Sequence, residues 1–180
     1  MRPVPPMLIV LPAAMAVAPA YAVSYLTVPQ AQAALFPTAD QFVDAKMHLT
    51  DEQRDAIKKL SGSRQRESEQ PVWRVEQGGM QLGWFFVDEV VGKHEFITYA
   101  AGLTPDGHVR GIEILVYRET YGHQVRNAEW RQKFAGKTLA DPFKLDEDIP
   151  NISGATLSSA NVTKGVKRLL VLQQVVLNKR

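Results

Sequence analysis

Two turn sequences set between alternating apolar runs constrain the fold of this chain more than anything else in it. Gly78-Gly79 lies between Val72-Trp73-Arg74-Val75-Glu76 and residues 81–87, and Thr104-Pro105-Asp106-Gly107 lies between residues 95–103 and 109–117. Runs rich in Val, Ile, Trp and Phe that are separated by such turns read as neighbouring antiparallel strands. Strict alternation in the last run puts Ile112, Ile114 and Val116 on one face and Glu113, Leu115 and Tyr117 on the other. Past it, Val162, Val166, Leu169, Leu170, Val176 and Leu177 recur at mostly helical spacing, with Gln173 interrupting the stripe. The expected fold class is α+β, an antiparallel β-sheet meander with helices packed on one face and a C-terminal helix.

The N-terminal part reads differently. Arg2, an apolar run over residues 7–18 and Ala20-Tyr21-Ala22 make a secretory signal with cleavage after Ala22, because the run is short of the roughly 20 residues a membrane span needs. The expected organisation is a signal peptide over 1–22, an N-terminal helical segment over 23–62 and the main domain over 63–180. Within 23–62, Thr27 opens a helix reaching Leu35 before Phe36-Pro37 ends it, and Thr50-Asp51-Glu52-Gln53 is a capping box with Gly62 as the stop. Residues 61–70 are polar and read as an exposed connection, residues 127–134 as a short helix, and residues 138–152 as a loop with some extended structure.

Composition excludes several functions. With 21 basic against 19 acidic residues the chain carries no nucleic-acid footprint, and losing Arg2 with the leader brings it closer to balance. Zero cysteine removes disulfides, iron–sulfur clusters, thiolate metal sites and lipoprotein-type lipidation. His48, His94, His108 and His123 have no metal-ligand spacing and read as surface or turn residues, so no metal is expected. There is no G-x-S-x-G elbow and no G-x-G-x-x-G after a strand, so neither a serine hydrolase nor a nicotinamide site is supported. Trp73, Trp84, Trp130 and Phe85-Phe86 read as packing residues. Lys164, Lys167 and Arg168 read as a solvated basic face, with docking to an acidic partner as the second reading. Lys164 lies about 12 Å along the helix from Thr156 and roughly 80° around it, too far for direct pairing.

The stretch with chemistry in it is Ser153-Gly154-Ala155-Thr156-Leu157-Ser158-Ser159, which delivers hydroxyls to the entry of the last helix. Unpaired N–H groups and aligned peptide dipoles there stabilise either an anion or an Ser/Thr oxygen. Those two readings, anion site and ordinary N-cap, stand side by side on these residues alone.

Ser-Gly-Ala-Thr followed by a small hydroxyl pair resembles the attachment sequence of the FMN-binding domain family, which includes subunits of the sodium-translocating NADH:quinone oxidoreductase and of the Rnf electron-transport complex. The resemblance extends upstream. Residues 107–122, ending Glu119-Thr120-Tyr121-Gly122, resemble the family's central strand and its Glu-Thr-x-Gly segment, and Trp130, Phe134, Gly136 and Lys137 fall where it has a short helix ending in Phe-x-Gly-Lys. Two positions depart from the pattern. Pro150 stands six residues before Thr156, where an Asp is usual, with Asn151 next and Asp148 two residues earlier, and Tyr121 stands where a Pro is usual.

The resemblance implies that FMN is esterified through its phosphate to Thr156 by a flavin transferase using FAD, with Ser153, Gly154, Ala155, Leu157, Ser158, Glu119 and Thr120 as further cofactor-binding residues and no catalytic residue. It further implies an electron-transfer protein, rather than a stand-alone oxidoreductase, relaying electrons between membrane or periplasmic redox partners. With the signal peptide, the expected location is the periplasm or the outer face of the cytoplasmic membrane. The alternative is a non-redox exported binding module of the same fold that is not flavinylated.

Overall fold

Each of the paired runs becomes a hairpin. The computed structural model describes residues 23–178, so the signal-peptide assignment lies outside the described residues. In chain order these form β1 (Val23–Ser24), α1 (Val28–Leu35), β2 (Gln41–Asp44), β3 (Met47–His48), α2 (Asp51–Ser61), β4 (Glu69–Gln70), β5 (Val72–Gln77), β6 (Met80–Val91), β7 (Phe96–Leu103), β8 (Val109–Tyr117), α3 (Ala128–Gln132) and α4 (Thr156–Leu172). A 3₁₀ turn over His123–Arg126 precedes α3, and a π-helical turn over Gln173–Leu177 continues α4.

Six strands make one antiparallel sheet in the order β1-β8-β7-β6-β5-β2, and β3 pairs with β4 apart from it. Gln77 faces Met80 across Gly78-Gly79, and Leu103 faces Val109 across the Pro105-containing turn. Residues 23–62, expected to be a helical segment, also supply β1 and β2 to this sheet: Phe42 faces Val75, and Val23 faces Tyr117. A four-residue edge strand has no room for an alternating pattern, so its sequence gives no strand signal.

Ile97, Tyr99, Ala101, Leu103, Ile112, Ile114, Phe86 and Val90 form the main core with Val162, Val166 and Leu169 of α4 and Ile57 of α2. The expectation of helices on one face describes α2, α3 and α4. On the other face α1 adds a smaller layer, where Ala31, Leu35 and Phe36 cover Phe85, Val75, Ala100 and Leu115. Both helices with capping boxes begin where the sequence puts them, at Thr27 and Thr50.

Strict alternation fails in β8. Thr98 pairs with Val116 but Tyr99 with Ile114, which leaves Leu115 as the extra residue of a β-bulge. The bulge shifts the strand's facing, so Leu115 and Val116 both serve the α1 side while Tyr117 joins Ile112 and Ile114 beneath α4. Its hydroxyl therefore points toward the first turn of α4 instead of away from it.

Three polar assignments also change. Arg168 is not part of a solvated basic face: it is 4% exposed and ion-paired with Asp88 of β6. Tyr99 Oη donates to Asp88 Oδ2 at 2.6 Å, and Arg168 donates to the Arg64 carbonyl at 3.0 Å. Burial of this kind needs a partner, and loss of one member of such a pair typically costs about 3–5 kcal/mol, so Arg168 belongs to the join of helix and sheet. The connection over residues 61–70 is not uniformly exposed either. Gln65 and Gln70 are buried, Gln65 Nε2 donates to Gln70 Oε1 at 3.1 Å, and Gln70 Nε2 donates to the Val87 carbonyl at 2.9 Å. Gln173, the break in the apolar stripe, is buried and donates to the Thr104 carbonyl at 2.8 Å, tying the end of α4 to the β7–β8 turn.

Candidate functional site

Three segments distant in sequence enclose a cleft of about 580 Å³: Lys93 and His94 of the β6–β7 turn, Glu119-Thr120-Tyr121 after β8, and Gly154–Ser158 at the entry of α4. Each wall is held by a specific bond. One oxygen of Glu119, Oε1, accepts from the backbone N–H groups of Lys93, His94 (2.5 Å) and Glu95 (3.0 Å). Asn161 of α4 donates from Nδ2 to the Val91 carbonyl at 2.7 Å, so the helix and the β6–β7 turn are tied directly. Tyr117 Oη donates to the Tyr121 carbonyl at 2.5 Å and lies 3.2 Å from Ser158 Oγ, which joins the segment after β8 to the first turn of α4.

The α4 entry resolves its two sequence readings. Thr156 is the first residue of the helix, Ala155 occupies the N-cap position, and no side chain caps the helix. The first N–H groups and the positive end of the helix dipole are thus left open to an anion. Among the hydroxyls, Ser158 is buried against Tyr117, and fully buried Ser159 donates to the carbonyls of Ala155 and Thr156 at 3.1 Å each. Thr156 is exposed in the cleft; Ser153 is exposed but does not line it. Gly154 holds φ at +79°, a left-handed conformation that side chains rarely adopt, and the space around it is open.

The structure thus brings Thr156, Gly154, Ala155, Leu157, Ser158, Glu119 and Thr120 to one cleft and leaves Ser153 at its edge. Sequence reasoning missed Lys93, His94 and Tyr121. His94 reads in sequence like the other surface histidines, and nothing in the turn sequence Gly92-Lys93-His94-Glu95 links it to residues some twenty-five positions away. His123 is exposed and outside the cleft, and among the described residues no cluster of metal-binding side chains occurs.

Electrostatics follow from these bonds. Burial works to raise the Glu119 pKa, but the N–H groups of Glu95, His94 and Lys93 together outweigh it and hold the carboxyl below its usual range. Burial raises the Tyr117 pKa, so its hydroxyl remains a donor, although the Ser158 contact works in the other direction. Asp148 does not stand in for the acid that Pro150 replaces. Its carboxylate accepts from the N–H groups of Lys144 (2.8 Å) and Phe143 (3.2 Å) and pairs with Lys137 Nζ at 2.9 Å within its own loop. Pro150 contributes its carbonyl, which accepts from the Trp130 indole at 2.8 Å.

An α+β sheet domain with a cleft at an uncapped helix entry is what the structure defines. Residues 92–171 match the family model described as the FMN-binding domain. Among solved structures, NqrC of Shewanella oneidensis is similar at 18% identity and a TM-score of 0.51, with 80% of this chain and 72% of that one covered. A subunit of the Na⁺-translocating NADH-quinone reductase of Parabacteroides distasonis is similar at 15% identity and a TM-score of 0.51, covering 77% of this chain and 80% of that one. These likenesses extend the shared fold well beyond residues 92–171. No curated protein matches the chain.

The residues present suit FMN. A cleft of about 580 Å³ falls within the roughly 300–1,000 Å³ usual for small-molecule sites. Unpaired helix N–H groups and an exposed hydroxyl meet at the place a phosphate would take.

Proposed function

We propose that this chain is an exported electron-transfer flavoprotein that carries FMN esterified through its phosphate to Thr156. The observation behind this reading is the exposed Thr156 hydroxyl at an uncapped helix entry, facing Glu119 and Thr120 across one cleft inside the FMN-binding domain. Attachment needs a flavin transferase. The Thr156 oxygen bonds to the phosphorus on the FMN side of FAD, the bond to the adenylate breaks, AMP leaves and the hydroxyl proton goes to solvent. The product phosphodiester keeps a negative charge where the helix dipole stabilises it.

Bound FMN would supply the capacity to take up and release electrons, and the domain sets its position and surroundings. Glu119 shapes the cleft by fixing the β6–β7 turn, and Tyr117 fixes the segment opposite Thr156. The chain has no nicotinamide-binding sequence, so donor and acceptor are separate redox proteins in or near the membrane. The Ala20-Tyr21-Ala22 leader supports a working location in the periplasm or on the outer face of the cytoplasmic membrane. No helix among the described residues is long and apolar enough to cross a membrane.

The test is intact-mass measurement of protein co-expressed with a flavin transferase, together with fluorescence of the band after denaturing electrophoresis. Wild type is expected to gain the mass of one esterified FMN and to fluoresce, and Thr156→Ala to do neither. A wild type without the increment overturns the proposal in favour of a non-redox binding module of the same fold.

A further inference from the structure

Among the exposed large apolar side chains of the described residues, Tyr121 is the most exposed, at 79%. A single exposed aromatic means little by itself. Its setting is what distinguishes this one. Met80, Leu60, Phe96 and Val43 lie elsewhere, whereas Tyr121 and Leu157 line the same cleft as Thr156, and of those two only Tyr121 is aromatic.

The ring is free, but the backbone beneath it is anchored on both sides. The Tyr121 carbonyl accepts from Tyr117 Oη at 2.5 Å, and that same hydroxyl touches Ser158 of α4. Next in the chain, Gly122 has φ at +90°, and a Cβ there would come within 2.5 Å of both the Ala155 Cβ and the Tyr117 hydroxyl. The segment carrying Tyr121 therefore packs directly against the residue before Thr156, too closely for any side chain to intervene. An exposed ring on a backbone fixed to the attachment turn is a pre-positioned surface for a planar aromatic group.

Resting on the flavin reading above, we propose that Tyr121 is a cofactor-binding residue of this chain whose phenol ring packs on the isoalloxazine of the FMN held at Thr156, screening it from solvent and quenching its emission. The phenol would lend one electron to the excited flavin and recover it, so there is no net oxidation and no further reactant. The ring also sets the polarity around the flavin, one of the ways a protein tunes a cofactor's electronics.

The test uses the flavinylated protein, with attachment verified by intact mass for each variant. Emission lifetime reports the phenol as electron donor, and visible circular dichroism reports ring contact. Tyr121→Ala is expected to keep the mass increment, raise flavin emission several-fold and lose most of the visible dichroism. Tyr121→Phe should raise emission but keep the dichroism, because it retains the ring and lacks the easily oxidised phenol. Tyr121→Trp should keep both signals close to wild type. The exposed position and the unchanged carbonyl mean these variants retain the fold, which the far-ultraviolet spectrum checks. If wild type carries the increment and Tyr121→Ala matches it in lifetime and dichroism, this proposal fails while covalent attachment stands. If wild type carries no increment, both fail.

Discussion

Glu119 gathers three amide protons on one carboxylate oxygen, which ties the β6–β7 turn to the segment leaving β8. Burial opposes the charge, and the three N–H groups prevail, so the folded-state pKa lies below the ordinary glutamate value of about 4.3. A carboxyl depressed in this way contributes stability above its unfolded pKa, and the contribution is lost as pH falls through the folded pKa. The cleft wall is therefore expected to loosen only in acid, at pH below the ordinary glutamate range. An NMR titration should show the amide protons of Lys93, His94 and Glu95 moving together with one midpoint below that of a free glutamate, and Glu119→Gln should abolish the shared transition. Independent midpoints for the three amides would rule out a common carboxylate. The sequence made Glu119 visible through its motif, but not the backbone it holds. An amide N–H carries no residue identity, so nothing in Gly92-Lys93-His94-Glu95 announces its partner.

At the scale of elements, the helix entry was legible in the sequence and the facing of the strand before it was not. Local signals decided both helices that open with capping boxes, because their caps are satisfied within four residues of chain. The bulge at Leu115 depends on pairing with β7, and the burial of Arg168 depends on Asp88 eighty residues away. Neither partner is visible along one stretch of sequence. The loop leading into α4 carries its own prediction. Pro150 uses only its carbonyl, toward the Trp130 indole, and its side chain is exposed, so Pro150→Asp preserves that bond. The variant restores the acid usual at this place and is expected to raise the fraction flavinylated in a fixed time. Intact mass over a time course of transferase treatment measures it, and equal rates would show that the acid plays no part in recognition.

For the molecule as a whole, two apolar layers flank one sheet, and the cleft sits where the sheet's chain ends meet the largest helix. The layered class followed from turn chemistry and periodicity, whereas the second layer did not, because α1 is amphipathic over only eight residues. The proposed export makes a measurable statement at this scale. Protein recovered from the periplasm is expected to begin at Val23, and a recovered mass that still includes residues 1–22 would contradict cleavage after Ala22. The position of β1 gives that result a further meaning. Val23 pairs with Tyr117, two residues before Glu119, so β1 lies beside the strand that leads into the cleft. Under the proposed function, an uncut leader would be a leash fastened to the strand beside β8, holding the carrier at one station on the membrane. Cutting it would turn the same domain into a shuttle, limited by diffusion between its donor and its acceptor.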